Sequence, residues 1–152
     1  MFAQLTGAPL ARGGLYFAAR GEGEVMRNFS FWVDIPEIAN ELIGQTLAGT
    51  KTATVRPASS WGVPLHDYDS ARFKVGDLVE LRDAGGAAHG QLRLTEVYDC
   101  TFGDIPERLW RGETNNSADE FRADHRSGWP HVELTLDLPL IAIHFRLISR
   151  IP

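Results

Sequence analysis

The sequence predicts an α+β domain, a small curled sheet or β-barrel flanked by about three helices. Three observations carry that expectation. Apolar residues at helical spacing occur in short blocks, each behind a helix-start signal. Period-two apolar runs fill most of the remainder and are broken by frequent glycine turns, which favours a curled antiparallel arrangement over a parallel sheet. A chain of 152 residues that is 43% hydrophobic suffices for one well-buried core and is short for two domains.

Residues 1–25 show no sustained periodicity and contain Gly13-Gly14 and Gly21-Glu22-Gly23, so they read as a loosely ordered leader ahead of a single domain over 26–152. They lack the basic start and apolar stretch of about 7–15 residues that a secretory signal needs. Asp34-Ile35-Pro36-Glu37 has capping-box spacing, and Ile35, Ile38, Ala39, Leu42, Ile43 and Leu47 then recur at helical intervals up to a stop at Gly49. Lys51 to Arg56 reads as a short strand, and Pro57 to Ser70 as a long loop carrying Trp61, His66 and Tyr68. Asp77 to Arg82 and Gly90 to Cys100 form an antiparallel hairpin across Ala84-Gly85-Gly86. The start signal returns as Asp104-Ile105-Pro106-Glu107, for a helix through Arg111, and as Ser117-Ala118-Asp119-Glu120, for one through His125. Val132 to Leu136 and Leu140 to Ser149 supply the last strands, with Ile141, Ile143, Phe145 and Leu147 on one face.

Composition narrows the function. A formal charge of −5 argues against a protein that coats nucleic acid by bulk electrostatics. Arg108, Arg111, Arg122 and Arg126 lie close in sequence, mixed with Glu107, Asp119, Glu120 and Asp124, as on a solvated helix face or beside a local basic cleft. No apolar run reaches the roughly 18–20 residues of a membrane span. The single Cys100 makes no internal disulfide, and no zinc-type Cys/His spacing occurs, so the expected setting is cytoplasmic with no metal site.

The densest chemistry is Gly49-Thr50-Lys51-Thr52-Ala53-Thr54-Val55-Arg56. Lysine is scarce, with Lys51 and Lys74 against thirteen arginines, so an ammonium here does not reflect lysine abundance. Read blandly, the run is a short polar strand. Read chemically, a perturbed amine serves as base, a neighbouring threonine as nucleophile, and Arg56 as a fork for phosphate or an oxyanion. Strand alternation would send Lys51 and Thr54 to opposite faces, so the two cooperate only if the strand begins after Lys51.

Several landmarks together resemble the ASCH domain family, related to PUA-like RNA-binding barrels. They are Phe31-Trp32-Val33-Asp34-Ile35-Pro36-Glu37, Leu47-Ala48-Gly49-Thr50-Lys51-Thr52-Ala53-Thr54, Val75-Gly76-Asp77, Thr95-Glu96-Val97, Phe102-Gly103-Asp104-Ile105, Gly112-Glu113, Asp124-His125 and Phe145-Arg146-Leu147-Ile148. The resemblance implies a barrel flanked by helices and a cleft for RNA or a nucleoside. Some small members of the family resemble amidohydrolases of acetylated cytidine, and others magnesium-dependent ribonucleases. By motif position the amidohydrolase set falls on Lys51 as base, Thr54 as nucleophile and Glu113 as the carboxylate that orients the amine or shuttles a proton.

Thr52, Arg56, Trp61, His125, Arg126 and Ser127 complete the candidate site as residues that would contact substrate. Among Trp32, Trp61, Trp110 and Trp129, one or two would stack on a base. Two functions follow: a hydrolase of an RNA or modified nucleoside, or a noncatalytic module for single-stranded RNA. Amide hydrolysis would require no cofactor, whereas a ribonuclease would use magnesium. The oligomeric state stays open.

Overall fold

The computed structural model describes residues 27–31, 35–60 and 73–152. The leader, Trp32, Asp34 and Trp61 therefore lie outside the described residues. The elements are β1 (Arg27–Phe29), α1 (Pro36–Ala48), β2 (Ala53–Pro57), a 3-10 turn (Ala58–Ser60), β3 (Leu78–Arg82), β4 (Ala88–Thr101), α2 (Glu107–Gly112), α3 (Ala118–Gly128) and β5 (Pro139–Arg150). Among the described residues this is the expected α+β mixture, with three helices.

The five strands form one sheet in the order β1-β3-β4-β5-β2. β1 runs parallel to β3, and the other neighbouring pairs are antiparallel. The hairpin expected around Gly85-Gly86 is present as β3-β4, with Asp83 Oδ1 accepting from the Gly85 and Ala87 backbone amides at 2.9 Å each. Register shifts interrupt β4 against β5 between Gln91 and Leu92 and between Leu94 and Glu96. Such bulges increase local twist and help a sheet curl.

Among the described residues the sheet is not closed into a barrel, because no backbone ladder joins its edge strands β1 and β2. A side chain spans the opening instead: Arg56 on β2 donates from Nη2 to Ser30 O, just past β1, at 3.1 Å.

Two apolar clusters stabilise the domain. The first joins Phe29, Phe31, Phe73, Val79, Leu81, Leu92, Leu94, Ile141, Ile143 and Phe145 to Ile43 of α1. The second packs Ala53, Val55, Leu140 and Ala142 against Phe102, Leu109 of α2, Phe121 of α3 and Trp129. β5 feeds both, since Leu140 through Phe145 are all buried. Its odd-numbered residues serve the first cluster and Leu140 and Ala142 the second, so the strand is covered on two sides rather than one.

The helix boundaries correct the capping readings. α1 begins with Ile35 at its N-cap and no side-chain cap, and α2 begins after Pro106, again uncapped by a side chain. In Asp-Ile-Pro-Glu the proline sits at or beside the helix start, where its missing N–H costs nothing, so the motif marks a proline-led start. Asp104 instead bridges Thr101. The third signal is a true cap: Ser117 Oγ accepts from Glu120 N at 3.0 Å, and Glu120 reaches back to Asn116 N at 2.7 Å. α3 runs three residues beyond the expected end at His125.

The expected strand at Val132 to Leu136 is absent. That segment turns, and its alternating residues Val132 and Leu134, with Leu138 just beyond, pack on the second cluster. Gly103 N donates to Leu136 O at 2.7 Å and Phe102 N to Leu138 O at 3.1 Å, so the segment covers the Phe102 turn.

Candidate active site between sheet edge and helices

Lys51 occupies the short link between α1 and β2. Gly49 ends α1 in the left-handed conformation at φ 85°, where glycine has no Cβ penalty. The Gln45 carbonyl then accepts from both Thr50 N at 3.0 Å and Lys51 N at 3.1 Å. Lys51 is thereby fixed before the pleat begins at Ala53, which meets the condition set by strand alternation.

On the other side, α2 docks backbone-first against the start of β2. Thr52 N donates to Gly112 O at 2.8 Å, and a Cβ at Gly112 would lie 2.7 Å from Ala53 Cβ. Only glycine allows that approach. Its successor Glu113 lands beside Lys51, 62 residues distant in sequence: Nζ donates to Glu113 Oε1 at 2.7 Å and to Ala53 O at 2.9 Å. The Lys51 side chain is 1% exposed and that of Glu113 9%. The ammonium also stands 5.2 Å from the Phe31 ring centroid, within cation-π range.

Thr114 follows with φ 70°, an uncommon backbone for a β-branched residue, and turns the chain toward α3. Buried Asn115 braces that turn, its Nδ2 donating to Asp124 Oδ2 of α3 at 2.8 Å. α3 then brings His125 over Glu113. His125 Nδ1 donates to Phe121 O at 2.8 Å, so Nε2 is the ring atom that faces Glu113 Oε2, at 3.5 Å. The imidazole is held between Phe121 and Trp129 at centroid distances of 4.0 and 4.7 Å.

Burial alone would push the Glu113 carboxyl up. The Lys51 ammonium and then His125 outweigh that, and its pKa falls to about 2. Glu113 is therefore ionised at neutral pH. Its Oε2 faces His125 Nε2 at 3.5 Å, and among the described residues it has no closer donor. A buried carboxylate oxygen without a close donor is costly, and it is a ready acceptor for an incoming N–H or O–H.

No protein-family model matches the sequence, and no curated protein matches it either. Solved structures do. Protein EF3133 from Enterococcus faecalis V583, described as DUF984, superposes with a TM-score of 0.69 at 16% identity, over 89% of this chain and 84% of that one. An ASCH domain from Lactobacillus crispatus JV V101 gives 0.68 at 16% identity, over 92% of this chain and 87% of that one. The chain has the ASCH-domain fold.

Within this ASCH fold the three residues expected to act together divide. Lys51 and Glu113 are in direct contact. Thr54 is buried and is not a hydrogen-bond partner of Lys51 Nζ, whose acceptors among the described residues are Ala53 O and Glu113 Oε1. Thr54 pairs with Ile143 in register and Arg56 with Ile141, so both look toward the first cluster, whereas Ala53 and Val55 look toward the second. Arg56 reaches Ser30 O and Lys51 Nζ reaches the Phe31 ring, so the Thr54 face of β2 and the Lys51 ammonium border the same two-residue stretch.

Of the other expected residues, His125 joins the site through Glu113. Thr52 is exposed beside Gly112, while Arg126 and Ser127 are exposed on α3 and Arg126 lies 5.6 Å from the Phe102 ring centroid. Three of the four clustered arginines are paired with acids: Arg108 with Glu96 at 3.0 Å, Arg111 with Glu107 at 2.5 Å and Arg122 with Asp119 at 2.9 Å. Trp129 is core and Trp110 lies under Arg111. Cys100 packs beside the second cluster, and burial, followed by Asp104 and Asp99, pushes its thiol up to about 11.

Sequence reasoning missed Tyr98 and His144. Their pairing depends on strand register across 46 residues, with Tyr98 Oη 2.8 Å from His144 Nε2. The only sequence signal was a histidine inside an otherwise apolar strand.

Proposed function

We propose that this chain is a hydrolase that cleaves an amide on a modified nucleoside of the acetylcytidine kind. The observation that supports it best is the buried, ionised Lys51–Glu113 pair, whose Glu113 Oε2 has no donor among the described residues closer than His125 Nε2 at 3.5 Å. An ion pair kept for stability alone would have its acceptors satisfied, because each unmet buried acceptor costs about 1–3 kcal/mol. An acceptor beside an amine suits a substrate that brings an N–H.

In this reading Thr54 Oγ attacks the acyl carbon. Its proton passes to Lys51 Nζ, which acts as base in its neutral form. Lys51 then protonates the departing nucleobase nitrogen, and water cleaves the acyl-threonine to release the acid. Arg56 and Phe31 line the approach. The pairing of Arg108, Arg111 and Arg122 with carboxylates, together with the acidic net charge, favours a small substrate over a long strand held by charge. Among the described residues, no three His, Cys, Asp or Glu side chains gather as a metal site.

The test is incubation with N4-acetylcytidine and, separately, with a labelled single-stranded RNA, each with magnesium or with chelator. Cytidine and acetate should form regardless of chelator, and Lys51→Ala, checked for folding by circular dichroism, should lose at least 100-fold in kcat, as on removing a general base. Turnover retained in Lys51→Ala would overturn the assignment. Salt-sensitive RNA binding without product would instead support a noncatalytic module, and magnesium-dependent RNA shortening a ribonuclease.

A further inference from the structure

The rungs between β1 and β3 end where Phe29 lies opposite Leu81. Ser30 and Phe31 follow beyond that ladder, at the open edge of the sheet. Arg56 Nη2 reaches them from β2, the other edge strand, and donates to Ser30 O at 3.1 Å. The same guanidinium stands 5.9 Å from the Phe29 ring centroid, and the Phe29 and Phe31 rings meet edge to face at 5.7 Å.

Arg56 is 8% exposed. A buried cation is costly wherever an apolar side chain would fill the same space. Its long stem and fixed fork carry a donor from β2 to a carbonyl that no ladder reaches.

Phe31 connects this contact to the candidate site. Its ring is buried and stands 5.2 Å from Lys51 Nζ. An ammonium has three N–H donors, and Glu113 Oε1 and Ala53 O take two of them. The ring gives the same cation an aromatic partner. Thr54 and Arg56 share a face of β2, since strand residues two apart point the same way, and that face is the one turned to the cluster that includes Phe31.

We propose that Arg56 is a positioning residue, a clasp that spans the sheet opening and seats the Phe31 ring on Lys51. In the hydrolytic reading, on which the consequence for turnover rests, Lys51 Nζ takes the proton that Thr54 gives up, and water at the amine would compete for it. The Phe31 ring covers the amine and keeps its place because the Ser30 carbonyl is held. Arg56 acts through Phe31 and not on the reacting atoms.

Lys51 and Lys74 are the chain's two lysines, the first 1% exposed and the second exposed, so every variant carries its own reference. Wild type, Arg56→Met, Arg56→Gln, Phe31→Leu and Leu94→Ala are treated with a water-soluble acetylating ester, and both sites are read by peptide mass spectrometry alongside thermal unfolding. Arg56→Met and Phe31→Leu should each label Lys51 about ten-fold faster relative to Lys74. Arg56→Gln, which keeps an N–H donor, should fall between Arg56→Met and wild type. Leu94→Ala should keep the wild-type ratio although it also loses stability. An Arg56→Met ratio no higher than that of wild type or of Leu94→Ala would overturn the clasp. If Arg56→Met does not fold, Arg56→Gln decides: a ratio above both supports the clasp, and one level with either overturns it.

With acetylcytidine as substrate, Arg56→Met should lose about 10- to 100-fold in kcat with KM little changed. Combined with Phe31→Leu, the loss should match that of the larger single change, because one residue acts through the other. Losses that multiply would overturn the proposal. If wild type releases no cytidine, the hydrolytic reading fails by itself, and the labelling ratios still decide the clasp.

Discussion

The core beneath α1 is built from phenylalanine, leucine, isoleucine and valine, with buried Arg56 at its edge tied to Ser30 O. The core beneath α2 and α3 has apolar residues of similar size, yet Lys51, Glu113, His125 and His144 are buried or nearly so along its margin. Both cores hold the same sheet together. The difference teaches where the fold spends stability: burying a charge is costly unless it is paired, and even a well-made buried pair is often no better than apolar residues of the same volume. A margin that keeps four ionisable groups is where the proposed function places its chemistry.

The largest contrast comes from breaking each core once. Glu113→Leu leaves the Lys51 ammonium buried without its counter-ion and should cost about 3–5 kcal/mol, with turnover lost. Leu94→Ala in the first core should cost about 2–5 kcal/mol as a cavity, yet leave kcat per folded molecule unchanged. Denaturant unfolding and active-site-normalised kinetics on both variants check this. Loss of kcat in Leu94→Ala would blur the distinction between the two cores.

Acid sharpens the same contrast with a smaller effect. Glu113 has a folded pKa of about 2 against an ordinary 4.5, so its contribution is fully present above about pH 4.5 and is lost as pH falls through 4.5 toward 2. Stability measured from pH 6 to pH 2 should therefore fall less steeply in Glu113→Leu than in wild type, while Leu94→Ala keeps the wild-type slope. Equal slopes in all three would show that Glu113 does not carry the acid response.

What was legible in the sequence follows the range of the interactions. The helix after Pro36, the αL stop at Gly49 and the β3-β4 hairpin are local, and each was marked by proline, glycine or a polar cap within a few residues. The Asp-Ile-Pro-Glu segments showed where helices start but not how, because each helix begins at or beside its proline with no side-chain cap. Val132 to Leu136 alternated like a strand because Val132 and Leu134 pack on the second core, and apolar spacing does not distinguish that packing from a backbone ladder.

Lys51 and Glu113 were reached through a family resemblance. Nothing local relates residues 62 apart; Gly112 against Ala53 is the contact that joins them. Tyr98 and His144 were invisible for the same reason. Strand register brings them together, and the two register shifts between β4 and β5 carry it beyond what simple alternation would trace.

The most direct test replaces the whole pair. Lys51→Met combined with Glu113→Leu removes both charges while keeping similar volume, and thermal unfolding and acetylcytidine turnover are measured together. A pair kept for chemistry predicts a double variant as stable as wild type or more stable by about 1–4 kcal/mol, with no turnover. A double variant that still cleaves the amide, or one destabilised as much as Glu113→Leu alone, would contradict the account.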